Sequence, residues 1–302
     1  MSRGTYLEPA TLDEALRLLA EHEGAAVVAG GTDLVVGTRQ GKRTLPETLV
    51  AIHRLPGLDG IAEEGGALTV GALATHDAIE RSELVRRRWT ALADASAIVG
   101  SPATRHVGTL GGNLANASPA IETGAPLVVF GAEVELRGPG GSRSVPVEGL
   151  WAGPGRTTAA AGEMITGVRV PAPADGSGSA YVRLEYRRAM EIAVVGAAAL
   201  VTIGDGVVSD ARVALTAVAP TIVRSPAAEE ALRGGEPTAD AIAAAAAAVH
   251  DAAAPISDVR GSDAYRKAMI EVMARRAIDV AARRAAGEAV PIPATMTVGG
   301  TR

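Results

Sequence analysis

Two double-glycine turns, about eighty residues apart, constrain this chain more than any other feature. Gly30-Gly31 follows an apolar run at 25–29 and precedes a second one at 34–36, which predicts a strand, a turn and a short helix. Gly111-Gly112 repeats the turn. Adjacent glycines expose successive backbone N–H groups that can close around an anion, and a helix N-terminus adds partial positive charge. The pair suits a dinucleotide whose diphosphate lies between two lobes.

Other interpretations of these turns remain open on the residues alone. One Gly-Gly pair is usually only a tight turn. Neither pair has the G-x-G-x-x-G of a dinucleotide-binding Rossmann domain or the Lys-Ser/Thr of a P-loop. The Asp33 carboxylate would repel a diphosphate, and it is equally typical of a helix N-cap. The spacing by itself therefore predicts only a possible anionic ligand.

Five segments occur in a characteristic order: AGGTDL at 29–34, GTLGGNLANASP at 108–119, YVRL at 181–184, RRAMEIA at 187–193 and YRK at 265–267. In these segments the chain resembles the FAD-binding (medium) subunit of the molybdenum hydroxylases, the family of xanthine dehydrogenase and aerobic carbon monoxide dehydrogenase. The resemblance extends over nearly the whole length. It implies that both glycine loops wrap the diphosphate and ribityl parts of one FAD and that the activity is electron transfer through the flavin.

The resemblance also implies an α+β fold with two domains. Residues 1–172 are expected to form a two-lobed FAD-binding domain of the vanillyl-alcohol-oxidase (PCMH) type, with lobes at 1–55 and 56–172. Residues 180–302 are expected to form a C-terminal domain with a three-stranded antiparallel sheet and helices. The Pro-, Gly- and Ser-rich stretch at 171–179 is the expected linker.

The local patterns predict individual elements. A capping box at 11–14 begins the first helix, and Gly24 ends it. Further helices are predicted from Thr75, at 90–98, 227–232, 239–254 and 262–285. Strands are predicted near Val27 and Val50 and at 68–70, 134–137, 165–170, 180–184, 195–203 and 211–218, with a hairpin at 204–208.

Most candidate cofactor contacts lie in the two glycine loops. The four glycines would donate backbone N–H groups to the diphosphate, Thr32 and Asn113 would add side-chain hydrogen bonds, and the other loop residues would add backbone contacts or serve as scaffold. The set is Val28, Ala29, Gly30, Gly31, Thr32, Asp33, Leu34, Thr109, Leu110, Gly111, Gly112 and Asn113.

Four further candidates come from the resemblance. Glu122 stands where the family usually has an aspartate that holds the cofactor; otherwise it is a solvated surface acid. Arg183 matches a basic residue near the flavin ring, where a cation would raise the reduction potential; otherwise it is a strand residue facing solvent. Thr75-His76 resembles a pair beside the cofactor in bacterial members, but His76 could equally be the first residue of a helix capped by Thr75.

Composition narrows the classes of function. The net charge of −5 gives no support for a nucleic-acid partner. The N-terminus lacks the apolar stretch of a secretory signal, and the longest uncharged apolar run, at 192–203, is too short to span a bilayer. We therefore expect a cytoplasmic chain without a membrane span. With no cysteine, it has no disulfide, no thiol nucleophile and no cysteine-ligated cluster.

The expected partners follow from the resemblance together with the missing cysteines. Any [2Fe-2S] cluster that feeds this chain must lie on another polypeptide. The family implies an iron–sulfur small subunit and a molybdopterin large subunit, assembled as a dimer of heterotrimers, with electrons leaving FAD for NAD⁺, oxygen or another acceptor. With neither cysteine nor a clear histidine attachment site, FAD should bind non-covalently.

No catalytic side chains and no metal-ligand spacing are visible in the sequence, since the flavin itself supplies the redox chemistry. Two alternatives remain open. One is a self-sufficient flavoprotein oxidase with a substrate beside the flavin. The other is an assembly module that has lost FAD.

Overall fold

The computed structural model describes residues 4–298, so the predicted domain limits at residues 1 and 302 lie outside the described residues. The strands are β1 Thr5–Leu7, β2 Ala26–Val28, β3 Thr48–Ala51, β4 Ile61–Glu64, β5 Ala67–Gly71, β6 Glu133–Gly138, β7 Gly141–Pro146, β8 Trp151–Gly153, β9 Arg156–Thr157, β10 Met164–Pro171, β11 Ser177–Leu184, β12 Val195–Gly204, β13 Val207–Thr216 and β14 Val223–Arg224. The helices are α1 Leu12–Glu21, α2 Thr32–Arg39, α3 His76–Arg81, α4 Glu83–Arg88, α5 Thr90–Ser96, α6 Pro102–Arg105, α7 Leu110–Asn116, α8 Gly124–Phe130, α9 Pro226–Leu232, α10 Ala239–Ala247, α11 Asp263–Ala285 and α12 Ala294–Val298.

The first lobe is a small parallel sheet in the order β1-β3-β2, covered by α1. Thr11 caps α1 by accepting a hydrogen bond from the Glu14 amide at 3.2 Å, as the sequence predicts. Ala15 and Leu19 of α1 pack in one buried cluster with Val50 of β3. Because β2 and β3 run parallel, the segments that follow them emerge at the same edge of the sheet. The first glycine turn lies at this edge.

The second lobe is an antiparallel sheet in the order β4-β5-β10-β6-β7, which shares one buried core with helices α3, α4, α5, α7 and α8. Helix α6 packs on α3. Its core is built around large apolar side chains such as Trp89, Leu92, Leu127 and Leu136, all fully buried. The predicted strands at 68–70, 134–137 and 165–170 are confirmed as parts of β5, β6 and β10.

The C-terminal part is an antiparallel sheet in the order β11-β12-β13-β14, with α11 across one face. The prediction of three strands is wrong by one short strand: Val223 and Arg224 pair with Leu215 and Ala214 of β13. Two residues are too few to show the alternation that marks a strand. The other face of the sheet packs on the second lobe, since Tyr181, Ala198 and Ala214 belong to that lobe's buried cluster.

The connection at the predicted linker is shorter than the stretch 171–179. Strand β10 continues through Pro171 and β11 begins at Ser177, so five residues, 172–176, lie between the strands. Gly178 serves packing: a Cβ there would lie 2.2 Å from the Ala281 carbonyl oxygen of α11. A glycine required for close approach of a helix to a strand looks, in sequence, like a flexible one.

Asp94 of α5 joins the second lobe to the C-terminal part. Its fully buried carboxylate accepts hydrogen bonds from Arg284 of α11 at 2.6 and 3.1 Å. It also accepts from the backbone amides of Tyr181 at 3.2 Å and Ala294 at 2.8 Å. One carboxylate thus holds α5, β11, α11 and α12 together.

We predict that Asp94→Ala lowers the free energy of unfolding by about 3–5 kcal/mol, because it leaves the Arg284 guanidinium buried without its counter-charge. Thermal and urea unfolding will measure the loss. Asp279→Ala is the matched control, since it removes the solvent-exposed partner of Arg283 on the same helix and should cost no more than ~1 kcal/mol. Equal losses in the two variants would contradict the role given to Asp94.

Candidate functional site

The two glycine turns touch each other where the first and second lobes meet. A Cβ on Gly30 would lie 1.9 Å from the Val107 carbonyl oxygen, so no residue with a side chain fits there without moving the backbone. A Cβ on Gly108 would lie 3.5 Å from the His76 ring and 3.6 Å from Thr32 Oγ1. The start of α2, the second turn and the start of α3 therefore converge on one place.

The first turn presents a row of free backbone donors. Gly31 is the N-cap of α2 and has φ +67°, a conformation that favours glycine. The amide nitrogens of residues 30–34 have no hydrogen-bond acceptor in the part of the chain that the structure describes. Successive N–H groups after a left-handed residue form a concave anion-binding nest, and the N-terminus of α2 adds partial positive charge.

The second turn is built differently. Its amides donate inside the chain: Gly108 to Thr104 O, Leu110 to Ala74 O, Gly111 to Ala72 O, Gly112 to Thr109 Oγ1 and Asn113 to Thr109 O. Within 108–113 the Thr109 amide alone has no acceptor among the described residues. Gly111 is required for packing, because a Cβ would lie 2.7 Å from Ala72 Cβ. The amides of Gly111 and Gly112, predicted as diphosphate donors, thus already have acceptors within the chain.

Thr75 and His76 lie against the second turn. Thr75 Oγ1 caps α3 by accepting from the Ala78 amide at 3.2 Å, and the His76 amide donates to Gly108 O at 3.1 Å. The His76 side chain is buried, and its Nδ1 has no hydrogen-bond partner within residues 4–298. Burial and the nearby Arg105 charge lower the pKa of His76 to about 4, so the ring is neutral at pH 7. His76 therefore begins a capped helix, and its ring packs beside Gly108 of the second turn.

Glu122 and Arg183 form a buried ion pair between the second lobe and β11. Arg183 Nη1 lies 2.5 Å from Glu122 Oε1, and Arg183 Nη2 lies 2.6 Å from Glu185 Oε2. The exposed fractions of Glu122 and Arg183 are 7% and 2%. Glu122 is therefore not a solvated surface acid, and Arg183 is not a strand residue that faces solvent. Burial raises the pKa of Glu122, and the Arg183 charge opposes that shift. The Arg183 guanidinium is thus paired with two carboxyl groups.

Side-chain contacts tie this ion pair to the glycine turns. Asn113 of the second turn accepts a hydrogen bond from Thr123 Oγ1 at 2.7 Å, directly beside Glu122. Asp33 of the first turn lies near enough to Glu122 to raise its pKa, while burial raises the pKa of Asp33 itself and Arg43 lowers it. The predicted residues of both turns, Glu122 and Arg183 thus form one connected region.

The remaining predicted residues are backbone elements of the same region. Val28 ends β2, and its carbonyl accepts from the Ile52 amide at 2.9 Å, while Ala29 and Leu34 are partly buried around the turn. Sequence reasoning missed Val107, Arg43 and Thr123. Val107 contributes a backbone carbonyl and Thr123 a single hydroxyl, and neither residue type by itself indicates a role in a site. Arg43 lies in the basic stretch at 39–43, and that charge was the one available signal.

Two kinds of site find no support in the described part of the chain. No three His, Cys, Asp or Glu side chains within residues 4–298 are grouped so as to hold a metal ion. Among the described helices, none has the length and apolarity needed to cross a membrane.

The buried neutral His76 predicts a loss of stability in acid. The unfolded chain takes up a proton near pH 6.5, but the folded chain takes it up only near pH 4. Between these pH values the folded state should lose about 3 kcal/mol relative to the unfolded state. Urea unfolding at several pH values will test this: His76→Gln should flatten the dependence from pH 6.5 to 4, and the exposed His53→Gln should not. Identical slopes for all three proteins would refute the prediction.

Comparison with known proteins places this arrangement in a family. A model described as FAD binding domain in molybdopterin dehydrogenase matches residues 2–173, and one described as CO dehydrogenase flavoprotein C-terminal domain matches residues 180–281. The carbon monoxide dehydrogenase medium chain of Hydrogenophaga pseudoflava is 35% identical over 94% of this chain and 99% of that protein. The xanthine dehydrogenase FAD-binding subunit of Escherichia coli O157:H7 is 30% identical over 94% of this chain and 98% of that protein.

The fold agrees with these relatives. A solved structure of the Hydrogenophaga pseudoflava carbon monoxide dehydrogenase, in a form lacking the Mo-pyranopterin moiety, matches with a TM-score of 0.89 and 36% identity, covering 93% of this chain and 98% of that chain. These matches confirm the resemblance inferred from the five sequence segments. The chain therefore belongs to the oxidoreductase family of FAD-binding subunits of the molybdenum hydroxylases, which includes carbon monoxide dehydrogenase medium chains and xanthine dehydrogenase FAD-binding subunits.

Proposed function

We propose that this chain is the electron-transfer subunit of a multi-subunit molybdenum hydroxylase. In this role it passes electrons from iron–sulfur clusters on a partner subunit through its non-covalent FAD to NAD⁺, oxygen or another acceptor. Bound FAD supplies the redox chemistry, and the chain's own residues bind and orient it and set its electrostatic environment.

The observation that carries the proposal is the row of free amides at residues 30–34. A diphosphate is the part of FAD that such a row recognises, because charge-assisted hydrogen bonds from N–H groups to phosphate oxygens are strong. Gly31 leaves the approach to these donors free of a Cβ. The Thr109 amide in the second turn is a further donor with no partner among the described residues. The residues present therefore fit a diphosphate.

The second turn supports the site in another way. The amides of Leu110, Gly111 and Gly112 are engaged within the chain, so this turn acts as a rigid wall. Asn113 Oδ1 accepts from Thr123, which leaves the Asn113 side-chain NH₂ to donate to the cofactor. We place Glu122 and Arg183 in the site because Asp33 of the first turn and Thr123, the partner of Asn113, lie beside Glu122, and we assign them to the flavin end because the family has a basic residue near the flavin ring at the position of Arg183.

We further propose that the two lobes form an FAD-binding domain of the vanillyl-alcohol-oxidase (PCMH) type at 1–172 and that 180–302 is the family's C-terminal domain. The parallel sheet of the first lobe and the antiparallel sheet of the second, with the site between them, support this assignment. The partners we propose are an iron–sulfur small subunit and a molybdopterin large subunit in a dimer of heterotrimers. The absence of cysteine from the chain supports clusters held elsewhere.

The first turn offers a sharp test of FAD binding. A Cβ on Gly31 meets no atom closer than 3.5 Å, so Gly31→Ala fits the fold and costs only the positive φ, about 1 kcal/mol. The added methyl group stands where the diphosphate must approach. We predict a rise of about a hundredfold in the FAD dissociation constant, equivalent to losing one or two charge-assisted hydrogen bonds. Flavin fluorescence titration of the purified chain will measure it.

Gly24→Ala is the matched control for Gly31→Ala. Gly24 has φ +73°, lies in the same lobe and has no atom within 4 Å of its would-be Cβ. It should lose the same stability and keep wild-type FAD affinity. Near-native FAD binding by Gly31→Ala would show that the turn is structural. Acid release of FMN, or flavin that stays with the denatured polypeptide, would contradict non-covalent FAD.

The electron-transfer role predicts what the native complex does. Affinity purification from the source cells should recover an iron–sulfur subunit and a molybdopterin subunit with this chain. Organic or gaseous substrate should bleach the flavin absorbance only when the iron–sulfur subunit is present, because this chain holds no cluster. Rapid oxidation of an organic substrate by the chain alone, free of iron and molybdenum, would instead establish a self-sufficient oxidase.

A further inference from the structure

Arg266 is a buried cation that the proposed FAD site does not use. It belongs to the Tyr265-Arg266-Lys267 segment in the first turn of α11, and its exposed fraction is 5%. Arginine is almost never fully buried unless its charge is paired and its donors are occupied. The hydrogen bonds of its guanidinium therefore show which segments it holds in place.

One arm of the guanidinium holds the segment that leads to Glu122. Arg266 Nη1 donates to the Ala217 carbonyl at 3.3 Å, and the Ala217 amide donates to the Pro119 carbonyl at 2.8 Å. Ala217 has φ +64°, a left-handed conformation that residues with a Cβ rarely adopt. Surrounding contacts must maintain it. Pro119 stands three residues before Glu122 in the same loop.

The other arm supports the segment that carries Glu185. Arg266 Nη2 donates to Asp258 Oδ1 at 2.6 Å. The Asp258 carboxylate also accepts from the Arg260 amide at 2.7 Å and so shapes the 258–261 turn. The Arg260 carbonyl in turn accepts from the Tyr186 hydroxyl at 2.7 Å. Tyr186 directly follows Glu185, the second carboxylate on Arg183.

Both carboxylates that hold Arg183 thus stand on segments that lead back to one guanidinium. We propose that Arg266 is a positioning residue for the cofactor site. It fixes the geometry of Glu122, Arg183 and Glu185 through the segments that carry the two glutamates, and it does not itself touch the cofactor. This inference rests on the proposed function, because the cluster is assigned to the flavin end of the FAD site. It gives the Tyr265-Arg266-Lys267 segment a role in cofactor binding.

Arginine suits this task better than lysine. A planar guanidinium donates in two fixed directions at once, here to Ala217 and Asp258. A lysine ammonium would keep the charge but hold only one arm in place. Asp258→Asn keeps the Ala217 arm and weakens only the other one. The three variants Arg266→Met, Arg266→Lys and Asp258→Asn therefore separate charge, geometry and the two arms.

The first measurement is hydrogen exchange in the purified chain without added FAD. Arg266→Met should speed exchange in both 117–123 and 185–191, and Asp258→Asn should speed it in 185–191 alone. Arg224→Met is the control, since it removes a partly buried arginine of β14 that is paired with Glu229 and makes no hydrogen bond to either segment. It should leave both segments unchanged. Unchanged exchange in Arg266→Met would overturn the inference whether or not FAD binds.

The second measurement is FAD binding at matched stability. We expect Arg266→Met to raise the FAD dissociation constant about tenfold, the effect of one misplaced polar contact, and to change the visible circular dichroism of the bound flavin. Arg266→Lys should recover part of the affinity. Arg224→Met should lose comparable thermal stability and keep wild-type affinity and spectrum. Wild-type affinity and spectrum in a folded Arg266→Met chain would overturn the inference.

The two proposals fail in distinguishable ways. A wild-type chain that binds no FAD would overturn the proposed function, while the exchange measurement still decides whether Arg266 organises the two segments. If Arg266→Met does not fold, Asp258→Asn decides: loosened exchange in 185–191 with weakened FAD binding supports the inference, and wild-type values for both overturn it.

Discussion

The contact between Gly30 and the Val107 carbonyl sets how closely the first lobe approaches the second. A Cβ would meet that oxygen at 1.9 Å, so the approach exists only because position 30 is glycine. The same approach brings the free amides at 30–34 opposite a turn whose amides are already engaged. One lobe therefore contributes donors and the other a rigid wall. Free backbone amides arranged in this way can bind an anion without a desolvated cation.

Acidic side chains surround the buried arginine of this region. Arg183, expected from sequence as a cation beside the flavin, is matched by Glu122 and Glu185, and Asp33 adds a further acid nearby. The Arg183 guanidinium therefore does not present the free positive charge that its residue type alone predicts beside a flavin.

The sequence predicts correctly those features that a residue and its near neighbours in the chain determine. The Thr11 and Thr75 caps and the strands around Val134 and Val168 follow from short patterns. The convergence of the two glycine turns is expected from the family resemblance. Prediction from sequence failed where contact with a distant part of the chain determines the role of a residue. Gly178 belongs to a strand because α11 passes above it, and Gly111 is fixed by Ala72 rather than by a ligand. The partners of Arg183 stand 61 and 2 residues away, and spacing along a chain does not show such pairs.

The Glu122–Arg183 ion pair crosses the boundary between the second lobe and the C-terminal part, so a cofactor bound beside it would couple its binding to the docking of these two parts. Asp94–Arg284 crosses the same boundary elsewhere. A ligand that binds only the assembled arrangement stabilises every contact required for that arrangement. FAD bound beside Glu122 would therefore stabilise the docked C-terminal part. By the same linkage, any change that loosens the docking weakens FAD binding even when no residue touching the cofactor is altered.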